Sequence, residues 1–143
     1  MQVTAPAWEA AIPDIEVLCR KALETASRMV GHDGEISLLL TSDEEMHALN
    51  REWRAKDKPT DVLSFPADPI EAPFLGDIAV GYGISASDAA EKSISLGDHL
   101  CHLLIHGYLH LIGHDHIEDT QAEEMEALEV RALALLGLPD PYQ

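Results

Sequence analysis

Three histidines in the second half of the chain are spaced as ligands of one metal ion. His106 and His110 are four residues apart, so in a helix over residues 100–112 they lie on one face, about 6 Å apart along the axis. Gly113 stands where a residue with a left-handed backbone would end that helix and turn the chain, which brings His116 to the same point. Three imidazole ligands without a fourth protein ligand are typical of a catalytic zinc, which keeps one position open for water. The spacing therefore predicts a site for one zinc ion, held by His106, His110 and His116.

The histidines of this region also have a simpler interpretation, as core residues that bind no metal. Six of the chain's eight histidines fall between His99 and His116, and a lone histidine on an apolar helix is more often a hydrogen-bonded core residue than a ligand. An i, i+4 pair followed by a glycine and a third histidine is much rarer by chance, and the interleaved Leu, Ile and Gly residues are unlike an affinity tag. We expect His99, His102 and His114 to lie outside the ligand set, His114 because it points elsewhere on the turn.

The histidine segment resembles the signatures of two known families. Its spacing is similar to the zincin motif His-Glu-x-x-His-x-x-Gly-x-x-His, but Gly107 replaces the glutamate that is the general base of those peptidases. The fuller match is to the YbeY family of bacterial rRNA maturation factors, whose signature resembles His-Gly-x-Leu-His-Leu-x-Gly-Tyr-Asp-His. This chain departs from that signature only in having His114 where the family usually has tyrosine, and its segment reads His106-Gly107-Tyr108-Leu109-His110-Leu111-Ile112-Gly113-His114-Asp115-His116.

Two upstream segments extend the resemblance to the YbeY family. Arg54 and the run from Lys58 to Pro66 look like a second block of that family, and the run from Leu75 to Ile78 looks like a third. Together the blocks cover most of residues 34–137. The histidine block is highly specific, whereas Leu-Gly-Asp-Ile alone is a weak signal, and we interpret Asp77 as a turn-facing aspartate beside a structural glycine.

The resemblance implies a zinc-dependent endoribonuclease that cuts single-stranded RNA. Its implied role is in 16S rRNA 3′-end maturation and ribosome quality control, with rRNA precursors as substrates and the small ribosomal subunit or assembly proteins as partners. It also implies that Arg54 stabilises the negative charge of the transition state, for which a guanidinium fork is better suited than the point charge of a lysine. Arg54 and the metal ligand His106 are therefore our candidate catalytic residues.

The charge of the chain is the strongest argument against a simple nucleic-acid-binding protein. With nine Lys and Arg residues against 26 Asp and Glu residues, the formal net charge is −17, and such a field repels polyanions. Four of the nine cations fall within eight positions, and we take them as the candidate substrate-binding residues: Arg51, Arg54, Lys56 and Lys58. Without the resemblance, a solvated helix end whose cations favour the helix dipole explains this cluster equally well. A basic patch on an acidic body predicts weak binding of free RNA and better binding within a larger assembly.

Length and composition predict one domain over residues 1–143 with a hydrophobic core. No apolar run approaches the length of a membrane span, and the first residues lack the basic and apolar segments of a signal peptide. We therefore expect a cytoplasmic protein without a membrane partner. Cys19 and Cys101 form no CxxC pair, and we interpret them as reduced, buried residues rather than as a disulfide.

The elements that position these residues predict an α+β fold, in which helices pack on a small mixed sheet. Helices are expected from Asp14 to Gly31, from a Ser42 capping box to the basic cluster, over the histidine segment and over residues 118–136. Strands are expected at residues 35–41, buried on both faces, and at residues 62–65 and 75–82, which pair with each other antiparallel. Val3 and Trp8 suggest one more short strand.

Helix caps and inward-facing residues complete the expectations. Ser85 or Ser87 is expected to begin a helix over residues 89–96, and Asp98 is expected to cap the histidine helix after Gly97. In the final helix the residues predicted to face the core are Met125, Leu128, Ala132 and Leu135.

Two other functions would use the same histidines. A zinc metallopeptidase-like hydrolase would pair an extended peptide with the strand at residues 75–81, but Gly107 lacks the side chain of a general base. A non-catalytic ribosome-assembly factor with a structural metal is the second alternative, although closed structural sites prefer four protein ligands, often including cysteine. Peptide cleavage with and without a chelator tests the first alternative, and an exogenous ligand on the metal would argue against the second.

Overall fold

The computed structural model describes residues 1–143 and has six helices around a four-stranded sheet. The strand order is β1-β2-β4-β3, with β1, β2 and β4 mutually parallel and β3 antiparallel to β4 at one edge. This is the small mixed sheet of an α+β fold that the sequence predicts. In chain order the elements are β1 Gln2–Val3, α1 Ala7–Ala11, α2 Ile15–Val30, β2 Glu35–Thr41, α3 Asp43–Arg54, β3 Val62–Pro66, β4 Phe74–Gly81, α4 Tyr82–Glu91, α5 Leu96–Leu111 and α6 Asp119–Leu135, with a 3-10 turn at Pro69–Glu71.

Helices cover the two faces of the sheet unequally. One face packs with α2, α5 and α6 in a core of 21 buried residues, to which the central strands contribute Leu38, Leu40, Ile78 and Val80. The other face meets only α3, in a cluster of three buried residues formed by Met46, Leu63 and Ala79. The prediction that β2 is buried on both faces is therefore wrong, since Glu35 and Ser37 are exposed on the thinly covered side.

The N-terminal segment differs from its prediction as a strand. Val3 does pair with β2, but Trp8 lies in the short helix α1. The Trp8 side chain is fully buried, and its indole Nε1 donates a hydrogen bond to the carbonyl of Thr41 at 3.0 Å. This partner lies 33 residues away in the sequence, so the residues around Trp8 do not reveal it.

Two helix starts also differ from the predictions. The N-cap of α5 is Ser95, whose hydroxyl accepts from the backbone N–H of Asp98 at 3.1 Å, so Asp98 is the capped residue rather than the cap. Helix α4 begins directly after β4, and Ser85 lies inside it. Asp43 of α3 accepts from the backbone N–H of Ile84 at 3.0 Å, so a side chain from another helix satisfies the start of α4.

The capping box predicted at Ser42 is half formed. Ser42 accepts from the backbone N–H of Glu45 at 3.2 Å, as expected. The Glu45 carboxylate does not return to the cap, because it accepts hydrogen bonds from the hydroxyls of Thr41 at 2.5 Å and Thr4 at 3.3 Å. Helix α3 nevertheless ends at Arg54 and carries the first two cations of the basic cluster in its last turn, as predicted.

In α6, the apolar stripe is rotated from its predicted position at the end of the helix. Met125 and Ala132 are buried, but Leu135 is 67% exposed and Leu133 is buried in its place. None of the helices has the length and apolar character that a membrane span requires. Both cysteines are buried and unpaired, as predicted, and burial raises the pKa of Cys19 to about 12 and that of Cys101 to about 11.

Helix α5 approaches the sheet closely at Gly107. A Cβ atom at Gly107 would meet the Ser64 hydroxyl at 3.1 Å and the Ile78 side chain at 3.2 Å. The same hydroxyl donates to the carbonyl of Gly107 at 3.1 Å. Because Ser64 lies on β3, this contact fixes the C-terminal half of α5 against the edge strand of the sheet.

Candidate metal centre

His106, His110 and His116 converge at the C-terminal end of α5. The Nε2 atoms of His106 and His110 are 3.1 Å apart, and the His116 ring centroid lies 5.6 Å and 5.2 Å from theirs. Each side chain offers one ligand nitrogen, and all three nitrogens lie within 4.8 Å of one another. Tetrahedral ligands about 2.1 Å from a zinc ion are roughly 3.4 Å apart, so the His106–His110 pair already has the required separation. The donor set therefore fits a metal ion that prefers imidazole nitrogen.

The turn after α5 brings His116 to the other two histidines. Gly113 adopts a positive φ of 103°, and the N–H of His114 bonds the carbonyl of Leu109 at 2.9 Å, a pattern that ends α-helices. Asp115 then accepts from the backbone N–H of His116 at 2.7 Å. The predicted helix termination at glycine is confirmed, and its consequence is that the chain reverses beside His106 rather than continuing away from it.

A cleft of about 620 Å³ joins the three histidines to the basic cluster. Arg54, Lys56 and Lys58 line it together with the carboxylates of Asp61 and Asp115. The cleft runs along the edge of the sheet, because α5 packs against one face of β3 while α3 ends on the other. The histidine helix and the cationic end of α3 therefore open onto the same cleft.

Arg54 is held in this cleft by the edge strand. Its guanidinium donates a hydrogen bond to the carbonyl of Ser64 and lies over the ring of Phe65, 5.2 Å from the centroid. A cation over an aromatic ring is favourable and limits the rotation of the side chain. Arg54 therefore has a defined direction, unlike an arginine that is free in solvent.

The cleft differs in charge from the rest of the protein. Three cations and two carboxylates line it, whereas the chain as a whole carries −17. Arg51 does not reach the cleft, since its side chain is 63% exposed and its guanidinium lies 4.0 Å from the Asp57 carboxylate. The structure thus brings together three of the four predicted substrate-binding residues and leaves Arg51 outside.

The remaining histidines of α5 have other surroundings. His99 is 2% exposed and neither of its ring nitrogens has a hydrogen-bond partner, while the Nε2 atom of His102 faces Glu129. His114 lines the cleft but is not part of the group of three. Burial, with smaller effects of His106 and His116, lowers the pKa of His110, which favours the neutral imidazole that a metal requires.

Glu129 is a residue of this site that sequence analysis missed. It lies on α6 and is 1% exposed, yet its Oε2 atom is 3.1 Å from Nδ1 of His106. Its Oε1 atom is 2.5 Å from Nε2 of His102 and accepts from the Tyr142 hydroxyl at 2.6 Å. Burial raises the pKa of Glu129, but these hydrogen bonds outweigh it and lower the pKa to about 2. A signal was present in the sequence, because Met125, Glu129 and Ala132 share one helical stripe that is otherwise apolar.

Comparisons with known proteins identify relatives of this chain over most of its length. The family model described as "Endoribonuclease YbeY" matches residues 2–137. An "Endoribonuclease YbeY" of Erythrobacter litoralis is 57% identical, with 76% of this chain and 74% of the relative covered. One of Allorhizobium ampelinum is 46% identical and covers 90% of this chain and 85% of its own length. Among solved structures, a Thermotoga maritima protein determined in solution matches with a TM-score of 0.65 at 30% identity, over 92% of this chain and 85% of that one.

Proposed function

We propose, from the premise that the chain belongs to the endoribonuclease YbeY family, that it cuts single-stranded RNA with one zinc ion held by His106, His110 and His116. The single observation that carries this proposal is the position of the three histidines. Their ligand nitrogens lie within 4.8 Å of one another in a cleft that also contains Arg54, Lys56 and Lys58. A metal site and a phosphate-binding surface therefore open onto the same space.

The choice of zinc follows from the chemistry of the donors. Imidazole nitrogen is a common ligand of zinc, whereas magnesium and calcium prefer oxygen. Three protein ligands leave a coordination position for water or substrate, which is the arrangement of a catalytic site rather than a structural one. When bound, zinc acts as a Lewis acid and makes water acidic enough to lose a proton near neutral pH.

The chain's own residues have three tasks in this proposal. Lys56 and Lys58 attract the phosphates of the RNA, because they are the cations of the cleft besides Arg54. Arg54 stabilises the charge that accumulates on the phosphate oxygens as the phosphodiester bond breaks, since its guanidinium is already oriented by Ser64 and Phe65. His106 is a catalytic residue because it would bind the metal ion that acts as the Lewis acid.

The charge of the protein supports a role within an assembly. With a net charge of −17 and only three cations in the cleft, free RNA should bind weakly. We propose that the chain acts in the cytoplasm on rRNA precursors, in 16S rRNA 3′-end maturation and ribosome quality control. The small ribosomal subunit or its assembly proteins would then present the RNA to the cleft.

The peptidase alternative is disfavoured by the surroundings of Gly107. This residue faces the sheet, where a Cβ atom would already lie 3.1 Å from the Ser64 hydroxyl. A glutamate at that position could not reach the cleft without moving α5 away from β3. The absence of the zincin general base is thus built into the packing of the helix.

Cleavage of fluorescently labelled RNA tests the proposal. We expect the zinc-loaded chain to cut single-stranded RNA and a structured rRNA precursor, to leave a perfect duplex intact and to lose activity with a chelator. Added zinc should restore the activity after the chelator is removed. Cleavage that continues unchanged in the metal-free protein would contradict the proposed role of the metal, and cleavage of labelled peptides in the same assay would favour the peptidase.

A further inference from the structure

Glu129 is an acidic residue in the core of the protein. Its side chain is 1% exposed, and it lies on the inner stripe of α6 among apolar neighbours. A buried carboxylate is costly unless hydrogen-bond donors surround it. Here His102, Tyr142 and His106 all point to its two oxygens, so the charge is satisfied by three side chains.

The two oxygens of Glu129 have different partners. Oε1 lies 2.5 Å from Nε2 of His102 and 2.6 Å from the Tyr142 hydroxyl, which together hold the carboxylate in place. Oε2 has one side-chain partner, Nδ1 of His106 at 3.1 Å. His102 and Tyr142 thus orient the carboxylate through Oε1, and Oε2 is available to His106.

This contact determines which nitrogen of His106 is available to a metal. An ionised carboxylate can only accept, so Nδ1 of His106 must carry the proton that it donates to Glu129. In the neutral ring Nε2 then has a free lone pair, and Nε2 is the atom that lies 3.1 Å from Nε2 of His110. The carboxylate therefore selects the tautomer in which the ligand nitrogen faces the other histidines.

We propose that Glu129 is a positioning residue, which fixes the ring direction and the tautomer of His106 and is itself held by Tyr142 and His102. The inference rests on the proposed metal site and extends it to α6 and to the segment that carries Tyr142. In metal sites generally, a carboxylate on the second nitrogen of a ligating histidine raises metal affinity, and its loss costs roughly 10- to 100-fold. The acidic helix α6 thus has a specific task at the zinc site, besides packing on the core.

The first measurement uses the metal-free protein and needs no RNA. Side-chain ¹H–¹⁵N NMR at about pH 8, where imidazoles are neutral, reports the tautomer of each histidine, and a His106→Gln variant assigns the signal. We expect His106 of the parent protein to carry its proton on Nδ1 alone. In Glu129→Gln, whose amide can either accept or donate, we expect both tautomers. Glu123→Gln is the matched control, because it removes the same charge from an exposed position of α6, and it should resemble the parent.

The second measurement is zinc affinity by competition with a chelator. Glu129→Gln should weaken zinc binding by roughly 10- to 100-fold relative to Glu123→Gln, and Tyr142→Phe should weaken it by a smaller factor because one of the donors to Oε1 remains. A folded Glu129→Gln protein with the parental tautomer and a zinc affinity within twofold of the control would overturn the proposal. Because neither readout involves RNA, a protein that binds zinc in this way but fails to cut RNA would refute the proposed activity and leave the positioning role intact.

Discussion

Histidines lie in both halves of α5, and the two halves place them in different surroundings. His99, His102, His106 and His110 follow the i, i+3, i+4 spacing and so form one stripe along the helix. In the first half, His99 is 2% exposed without a hydrogen-bond partner and the His102 side chain is 12% exposed against Glu129. In the second half, His106 and His110 open onto the cleft at the edge of β3.

The difference shows that helical phase alone does not make a metal site. All four side chains point in similar directions from α5, but the sheet ends at β3, and the chain reverses at Gly113 to add His116. Only the second half therefore has both open space and a third imidazole. Glu129 lies between the halves and bonds one histidine of each, His102 and His106.

The largest expected effect separates a ligand from a neighbour in the same cleft. We expect His110→Ala to lose the single bound zinc, because two histidines cannot hold the metal against dialysis, whereas His114→Ala should retain it. Metal content per chain, measured by atomic emission after dialysis against a weak chelator, tests this. Full occupancy in His110→Ala, or loss of zinc in His114→Ala, would show that the ligand set is assigned incorrectly.

Substitution of Arg54 tests whether a side chain of the cleft, besides the metal, contributes to catalysis. Arg54→Ala should lower kcat for RNA cleavage by about 10²–10³, the typical effect of removing one preorganised donor to a transition state, while zinc content stays unchanged. The loss of its contacts with Ser64 and Phe65 should lower the free energy of unfolding by about 1 kcal/mol. Arg54→Lys should recover only part of the rate, since the ammonium lacks the planar fork.

Arg51→Ala is the matched control for Arg54. It removes the same charge from the same helix turn, but the side chain lies outside the cleft. Its cleavage rate should therefore stay within a few-fold of the parent. Equal losses for the two variants would mean that the effect of Arg54 comes from the overall charge of α3 and not from its position beside the histidines.

How much of the site can be predicted depends on whether its parts are local in the sequence. Short-range patterns predict the helical pair His106 and His110, the glycine that ends their helix and the cations at the C-terminal end of α3, and these expectations of the local structure were confirmed. Glu129 was missed because its partners lie 13 to 27 residues away and the acids around it are those of a solvated helix face. A single acid on an apolar stripe is the signal that would have identified it.

The errors in the fold have the same origin. The predicted start of α4 is too late because the helix follows Gly81 without a capping side chain of its own, and the N–H of Ile84 in its first turn donates to Asp43, more than forty residues earlier. Similarly, the apolar run of β2 predicts a strand buried on both faces. It does not reveal that one face of the sheet is covered only by α3. Local propensity predicts which segments form helices and strands. Where a helix begins and which faces of a strand are buried also depend on distant parts of the chain.

The smallest expected effect concerns His99, in the half of α5 that we exclude from the metal site. Burial, with smaller effects of Lys92 and His102, lowers the pKa of His99 below its usual 6.5. As the pH falls below about 6.5, the unfolded chain takes up a proton at this residue that the native state does not yet accept. The free energy of unfolding that depends on neutral His99 is therefore complete above pH 6.5, and it is lost as the pH falls from there through the lower pKa of the native state.

His99→Leu should remove this acid sensitivity, because leucine takes up no proton. The substitution breaks no hydrogen bond, since neither ring nitrogen of His99 has a partner. We expect the metal-free variant to have a Tm near that of the parent at about pH 7.5 and to lose less Tm than the parent at about pH 5, on either side of the ordinary histidine pKa. His32→Gln, which alters an exposed histidine, should leave the pH dependence as it is in the parent. If His99→Leu retained the full acid sensitivity but lost zinc, the buried half of α5 would belong to the metal site after all.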